Sequence, residues 1–459
     1  MTKLKTLRNI SLILSLALAQ YSFATNHTDS LLDDKLVQIK EIFNLRPIDT
    51  KPLIETSRFK LGRALFFDKV LSGNHDVACA TCHLVAHGVS DGRPVSLGVR
   101  GKGLGPDRHY ASNPVELHPR NSQDLWNRDH NDVSSMFWDG RVEMVDPANR
   151  KLRTPLGNEL PKGLDNAMAA QALFPLITAN EMLGYPGDDY AGFKNELAGL
   201  VNPDNLNGAG LAFDAIMLRL IGNKSMEASN VREAVYRDLF LKAFPDLSLG
   251  DLSIVQAANA LAHFEELAFA TRNSRWDSHL AGDNQALSVR EKKGALLFFG
   301  KGRCVACHNG DTFSDYQFHS VGVIDEDWRI ESENRDLGRF NATKAPSDAF
   351  KFRTPPLRNV TKTKPYFHNG SEYSLNAVIQ QHVAPIANAN RYHSSGRFLM
   401  TAQQIQAVSP VLTAGINLTD NDISLIVDFL GALETELTDS DLMIIIPKDV
   451  PSGLPIEYY

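Results

Sequence analysis

Four cysteines occur in 459 residues, and all four sit in two copies of one pattern, Cys79-Ala80-Thr81-Cys82-His83 and Cys304-Val305-Ala306-Cys307-His308. Nothing else in the chain constrains its fold as strongly. Two thiols three positions apart share one helical turn, where both can add to the vinyl groups of a haem, and the His that follows offers a ring nitrogen to the iron. A C-x-x-C pair can also be a dithiol redox centre or half of a zinc site. Here a His follows each pair directly, no cysteine is left over, and the pairs lie far beyond the ~20 residues that separate the halves of a zinc ribbon. The pattern specifies two covalently bound c-type haems, one held by Cys79, Cys82 and His83, the other by Cys304, Cys307 and His308. It argues against the two disulfides that four cysteines in an exported chain would otherwise suggest.

Export itself is read from the N-terminus. Lys3, Lys5 and Arg8 precede an apolar run from Ile10 to Ala19, and Ser22-Phe23-Ala24 forms a small-x-small cleavage signal. Residues 1–24 are expected to be removed, with the periplasm as destination. The run is shorter than the roughly 20 residues that cross a bilayer, and no later stretch is long and apolar enough, so no membrane span is expected. Removing 24 of 459 residues leaves 435, room for two or three domains, and losing three cations takes the formal net charge from −7 to −10. That charge speaks against nucleic acid as a partner and is compatible with a basic redox protein.

The segments leading into the motifs resemble each other: Leu61-Gly62-Arg63-Ala64-Leu65-Phe66-Phe67 before the first and Lys293-Gly294-Ala295-Leu296-Leu297-Phe298-Phe299 before the second. Each has apolar residues at helical spacing, which suggests a duplicated unit whose aromatic edge lies on its own haem. Helical patterns also cover 251–270 and 420–433, the latter opened by a Thr419-x-x-Asp422 capping pattern. Strand-like alternation is scarce. Gly-, Pro- and Asn-rich loops fill 98–120, 146–165, 184–210 and 385–416. The expected fold is mostly α: an N-terminal haem domain over 25–248 and a C-terminal one over 249–459, with long irregular connections.

A series of motifs in order, LGRALFFDKVLS and CATCH, then PRNS at 119–122, FWDGR at 137–141, NEM at 180–182, CVACH, FHSVG at 318–322, LRNV at 357–360 and KPYFHNG at 364–370, resembles the bacterial diheme cytochrome c peroxidase and MauG family. The resemblance runs from about Leu61 to Leu433. It implies two cytochrome c-like helical domains, with hydrogen peroxide reduced at the N-terminal haem and electrons fed through the C-terminal one. It implies catalytic roles for Trp138, as the electron bridge between the haems, and for Glu181, as the carboxyl group that moves a proton between the peroxide oxygens. Outside that context Trp138 reads as a core aromatic and Glu181 as a surface carboxylate.

The sixth ligand of the C-terminal haem, Met in the peroxidases and Tyr in MauG, falls here on His382. The local pattern agrees, because Leu375, Val378, Ile379, His382 and Val383 form one apolar stripe. His393 is the reserve. A second imidazole in place of a thioether should lower that haem's potential. At the N-terminal haem the peroxidases' displaceable His is replaced by Val99 and Arg100 after SLG at 96–98, so the site is expected to be open, with His109 and His118 as substitutes. His75 and His87 are expected only to pack near the motif. Asp139 and Arg141 read as a structural ion pair. Asn121, with the main-chain oxygens of Thr363 and Pro365, matches the family's calcium site, and all-oxygen ligation suits that cation. A small cytochrome c or cupredoxin is the implied electron donor, and a homodimer is allowed. Two other functions compete with peroxide reduction: a MauG-like oxidase acting on a protein or organic substrate, and a diheme electron carrier without catalysis.

Overall fold

The computed structural model describes residues 29–49, 51–110, 119–190, 192–324, 336–389 and 400–457. Residues 1–24 (the expected signal sequence), His118 and His393 lie outside them. Helices carry the architecture, and no strand among the described residues exceeds five residues, as a mostly α chain requires.

The repeated sequence builds a repeated structure. The first lead helix, Ser57–Phe67, starts at Thr56, whose side chain accepts the Phe59 amide, and the second, Val289–Phe299, starts at Ser288, which accepts that of Glu291. Each presses a glycine onto a covering helix. A Cβ on Gly62 would lie 2.0 Å from the Ala260 carbonyl oxygen in helix Ile254–Ala268, and one on Gly294 would lie 1.9 Å from that of Leu425 in helix Asp420–Gly431. Only glycine lets the backbones approach so closely. Each lead helix ends in two phenylalanines in edge contact, Phe66–Phe67 at 5.3 Å between centroids and Phe298–Phe299 at 5.2 Å. Phe264 and Phe429 oppose them from the covering helices.

Both long helical patterns are present, with sharper ends. Asp420–Gly431 begins at the Thr419–Asp422 capping box, whereas the pattern over 251–270 becomes a separate turn, Leu249–Asp251, and a helix starting at Ile254. The Ser253 capping box with Gln256 fixes that later start.

Two cores result. The larger runs from Phe59 to Phe269 and includes Ile445 and Val450; the second runs from Trp276 to Leu433 and includes Leu36 and Leu45. Helix Ile254–Ala268 belongs to the larger core, because it packs on Ser57–Phe67. The chain ends are exchanged between the two cores. The helix over 29–42 and its extension lie on the second core, where Lys40 Nζ donates to the Leu280 oxygen (2.6 Å) and the Ile48 amide to Asp277 Oδ1 (3.0 Å). Beyond Thr438 the chain returns to the first.

Candidate haem sites and the bridge between them

In the first motif Cys79–Cys82 form a single helical turn, and His83 Nδ1 lies 3.1 Å from the Val89 carbonyl oxygen. In the second, His308 Nδ1 lies 3.0 Å from that of Phe313. Each carbonyl takes the Nδ1–H and leaves Nε2 as the lone pair for a metal. Burial lowers the pKa of both rings, which keeps them neutral as ligation demands. Burial also pushes the Cys79 and Cys304 thiols up to about 12, and Cys82 is raised as well. Thiols so held are poor redox or zinc-binding groups.

A cavity of about 210 Å³ opens on the second motif, lined by Cys304, Cys307, His308, His382, Trp138 and Arg353. His382 sits in helix Leu375–Val383 with Nδ1 2.8 Å from the Val378 oxygen one turn back, so its Nε2 is also left for a metal. Burial, reinforced by the His382 ring, brings His308 down to about 4. Arg353 is fully buried, both its terminal nitrogens lack a partner among the described residues, and burial together with Arg128 lowers it to about 9. A buried guanidinium in this state calls for an anion, and the propionate carboxylates of a haem would supply one. The donor set and this orphaned cation both fit the group the motif specifies.

Glu181 lies on a different kind of element. Ala179–Leu183 is one π-helical turn, and the amides of Glu181, Met182 and Leu183 all converge on the Thr178 oxygen at 3.1, 3.2 and 3.1 Å. Such turns recur at functional sites because they re-aim a side chain. Half-buried Glu181 acts electrostatically on both Cys82 and His83. Gly98 of the SLG segment presses on the same turn, where a Cβ would sit 2.2 Å from the Asn180 oxygen. The following loop is tied down by buried Arg108, which donates to the oxygens of Leu97 (2.6 Å), Gly98 (2.7 Å) and Gly103 (2.9 Å). His109 is exposed, with Nδ1 2.9 Å from the Asp107 oxygen. His75 is lowered to about 4 by burial and Arg219.

Trp138 sits at the tip of a hairpin between strands Ser135–Met136 and Val142–Asp146. Its Nε1 donates to the Asn121 oxygen (3.0 Å), and the neighbouring Ser122 hydroxyl donates to the Cys82 oxygen (2.9 Å). Trp138 also lines the cavity at the second motif, so it touches that site while these hydrogen bonds connect it to the first motif. The hairpin is clamped by buried Arg120, paired with Asp139 and Asp336 at 2.7 Å each; Arg141 joins Asp139 at 3.3 Å, as the ion-pair reading expects. Asn121 Nδ2 donates to the Arg93 oxygen (2.7 Å), which leaves the amide oxygen available, and Asn121, Thr363 and Pro365 line one cavity. Ser122, Arg108 and Arg353 escaped the sequence reading. Ser122 stands inside PRNS, but nothing in the sequence distinguishes the two arginines from surface ones.

Two matched motif turns, one sharing a cavity with a second imidazole and the other within electrostatic reach of a carboxylate, point to a c-type cytochrome with two haems of unequal surroundings. The family model described as "Di-haem cytochrome c peroxidase" matches residues 56–285. The chain belongs to this family and is an oxidoreductase carrying two c-type haems. It is 29% identical over 372 residues to the cytochrome c551 peroxidase of Pseudomonas aeruginosa, covering 80% of this chain and 84% of that one. It is also 29% identical over 328 residues to the methylamine utilization protein MauG of Methylophilus methylotrophus, covering 70% and 71%. Among solved structures, a MauG-like protein associated with microbial copper homeostasis superposes with a TM-score of 0.56 at 26% identity, covering 86% and 94%. No helix among the described residues is long and apolar enough to cross a membrane.

Proposed function

We propose that the chain is exported to the periplasm, loses residues 1–24, and reduces hydrogen peroxide to water with two electrons from a small cytochrome c or cupredoxin and two protons. The observation that carries this reading is the asymmetry of the two motifs: His382 shares the cavity of His308, whereas His83 feels the charge of Glu181 along with those of Arg128 and Asp124. Haems bound at Cys79, Cys82 and His83 and at Cys304, Cys307 and His308 would supply the redox chemistry, the first for peroxide and the second for electron relay. His83 and His308 would each offer Nε2 to an iron, and His382 would offer a second imidazole at the His308 site. Glu181 accepts a proton from one peroxide oxygen and returns it to the oxygen that leaves as water. Trp138 carries electrons between the halves along the route through Asn121, Ser122 and Cys82. Arg353 neutralises propionate charge beside it. Asn121, Thr363 and Pro365 supply oxygen donors for one calcium ion at the junction.

A MauG-like oxidase is the second reading, favoured by the Val99-Arg100 replacement together with the MauG relatives. Peroxide-dependent oxidation of reduced cytochrome c at many turnovers per second supports the peroxidase; negligible turnover with peroxide consumed singly contradicts it. A carrier without catalysis would have both irons inert, so cyanide binding to one of them removes that reading.

A further inference from the structure

The C-terminal segment reaches the first haem motif from the opposite half of the molecule. Leaving helix Asp420–Gly431, whose Ile426 and Leu430 line the second cavity, the chain forms a short helix over Asp439–Ile445 and then runs along the first core. Ile445 and Val450 are buried there, and the Ser452 hydroxyl donates to Asp68 Oδ1 at 2.6 Å. The segment carries Glu457, only 12% exposed at its side chain. One carboxylate oxygen pairs with Lys69 Nζ at 2.7 Å, and the other accepts the hydroxyl of Thr81. Thr81 is fully buried inside Cys79-Ala80-Thr81-Cys82-His83, and its hydroxyl oxygen in turn accepts the Ala78 amide at 2.9 Å. The Glu457 charge is felt at Cys82.

We propose that Glu457 is a positioning residue for the first haem: it clamps the attachment turn through Thr81 and sets a negative charge beside the porphyrin that, with Lys69, fixes the potential of that iron. The physics is Coulombic. A nearby anion favours the more positive ferric state, and a low-dielectric surrounding strengthens the effect. A tail anchored at the second cavity thereby tunes the centre in the other half.

The inference rests on haem attachment at Cys79 and Cys82 and deepens the peroxidatic reading, so haem content is measured first by the pyridine haemochrome method. With two haems per chain, spectroelectrochemical titration of the holoprotein gives both midpoint potentials. Glu457→Gln keeps the acceptor and removes the charge, and is expected to raise the potential of the first haem only. Lys69→Met is expected to lower it. Shifts of opposite sign confined to one haem bear the inference out. Unmoved potentials in both variants, or equal shifts at both haems, overturn it and reduce Glu457 to a structural contact. Failure of the peroxidatic reading would be seen separately, as an inert iron at His83 in the unmutated protein.

Discussion

Around the first motif, helix Ser57–Phe67 is capped by Thr56, seated by Gly62 against Ala260 and finished by Phe66 and Phe67; around the second, helix Val289–Phe299 repeats each device with Ser288, Gly294 against Leu425, and Phe298 with Phe299. Even the histidine-orienting carbonyls correspond, Val89 in one half and Phe313 in the other. The halves part company in the groups around those histidines. One has Glu181 on a π turn against a loop pinned by Arg108; the other has His382 on a regular helix. On the proposed function the shared scaffold would hold the haems, and these differing residues would set whether an iron reacts or relays.

The largest effect is expected from erasing the reactive half's distinctive group. Glu181→Gln keeps shape and removes proton transfer, and should lower peroxide turnover by roughly 10²–10⁴-fold while leaving the spectrum of the second haem unchanged, as steady-state assay and absorption spectroscopy will show. Next comes the clamp between the halves. Burial alone would raise the Asp139 carboxyl, but the Arg120 and Arg141 guanidiniums more than reverse this and hold it at about 2. Its unfolded form, near 3.8, binds protons more readily, so its contribution is complete above about pH 4 and is lost as pH falls toward 2. Asp139→Asn should cost about 3 kcal/mol in denaturant unfolding at pH 7 and flatten the acid limb of the stability profile. A mutant with an unchanged acid limb would show that the pair does not hold the halves together. The smallest effect tests the repeat itself. Gly62→Ala and Gly294→Ala should each cost about 1–3 kcal/mol by overpacking, in similar amount; a large difference in chemical denaturation midpoints would mean that the two glycine contacts are not equivalent.

Much of this arrangement was legible in the residues because it is local. The cysteine spacing, the Gly-Ala-Leu-Phe-Phe repeat and the Thr419–Asp422 cap each act within one or two turns, and they stand where expected. His382, Trp138 and Glu181 came through the resemblance to a family, and helical periodicity agreed only for His382. What the sequence hid depends on distant contact. The exchange of chain ends, with Leu36 on the second core and Val450 on the first, has no local signature. Nor do the buried roles of Arg108 and Arg353, whose charges would ordinarily keep them at the surface. The packing of helix Ile254–Ala268 on the first lead helix was hidden for the same reason: that helix is continuous in sequence with the second half, yet its alanine-rich face fits Gly62.

Electron paramagnetic resonance of the oxidised protein tests the asymmetry most directly, with His382→Ala measured beside the unmutated chain. The account predicts one high-spin iron and one low-spin iron with two imidazole ligands, the low-spin signal being lost in the variant. Two low-spin irons before mutation, or a low-spin signal that survives the loss of His382, would contradict it.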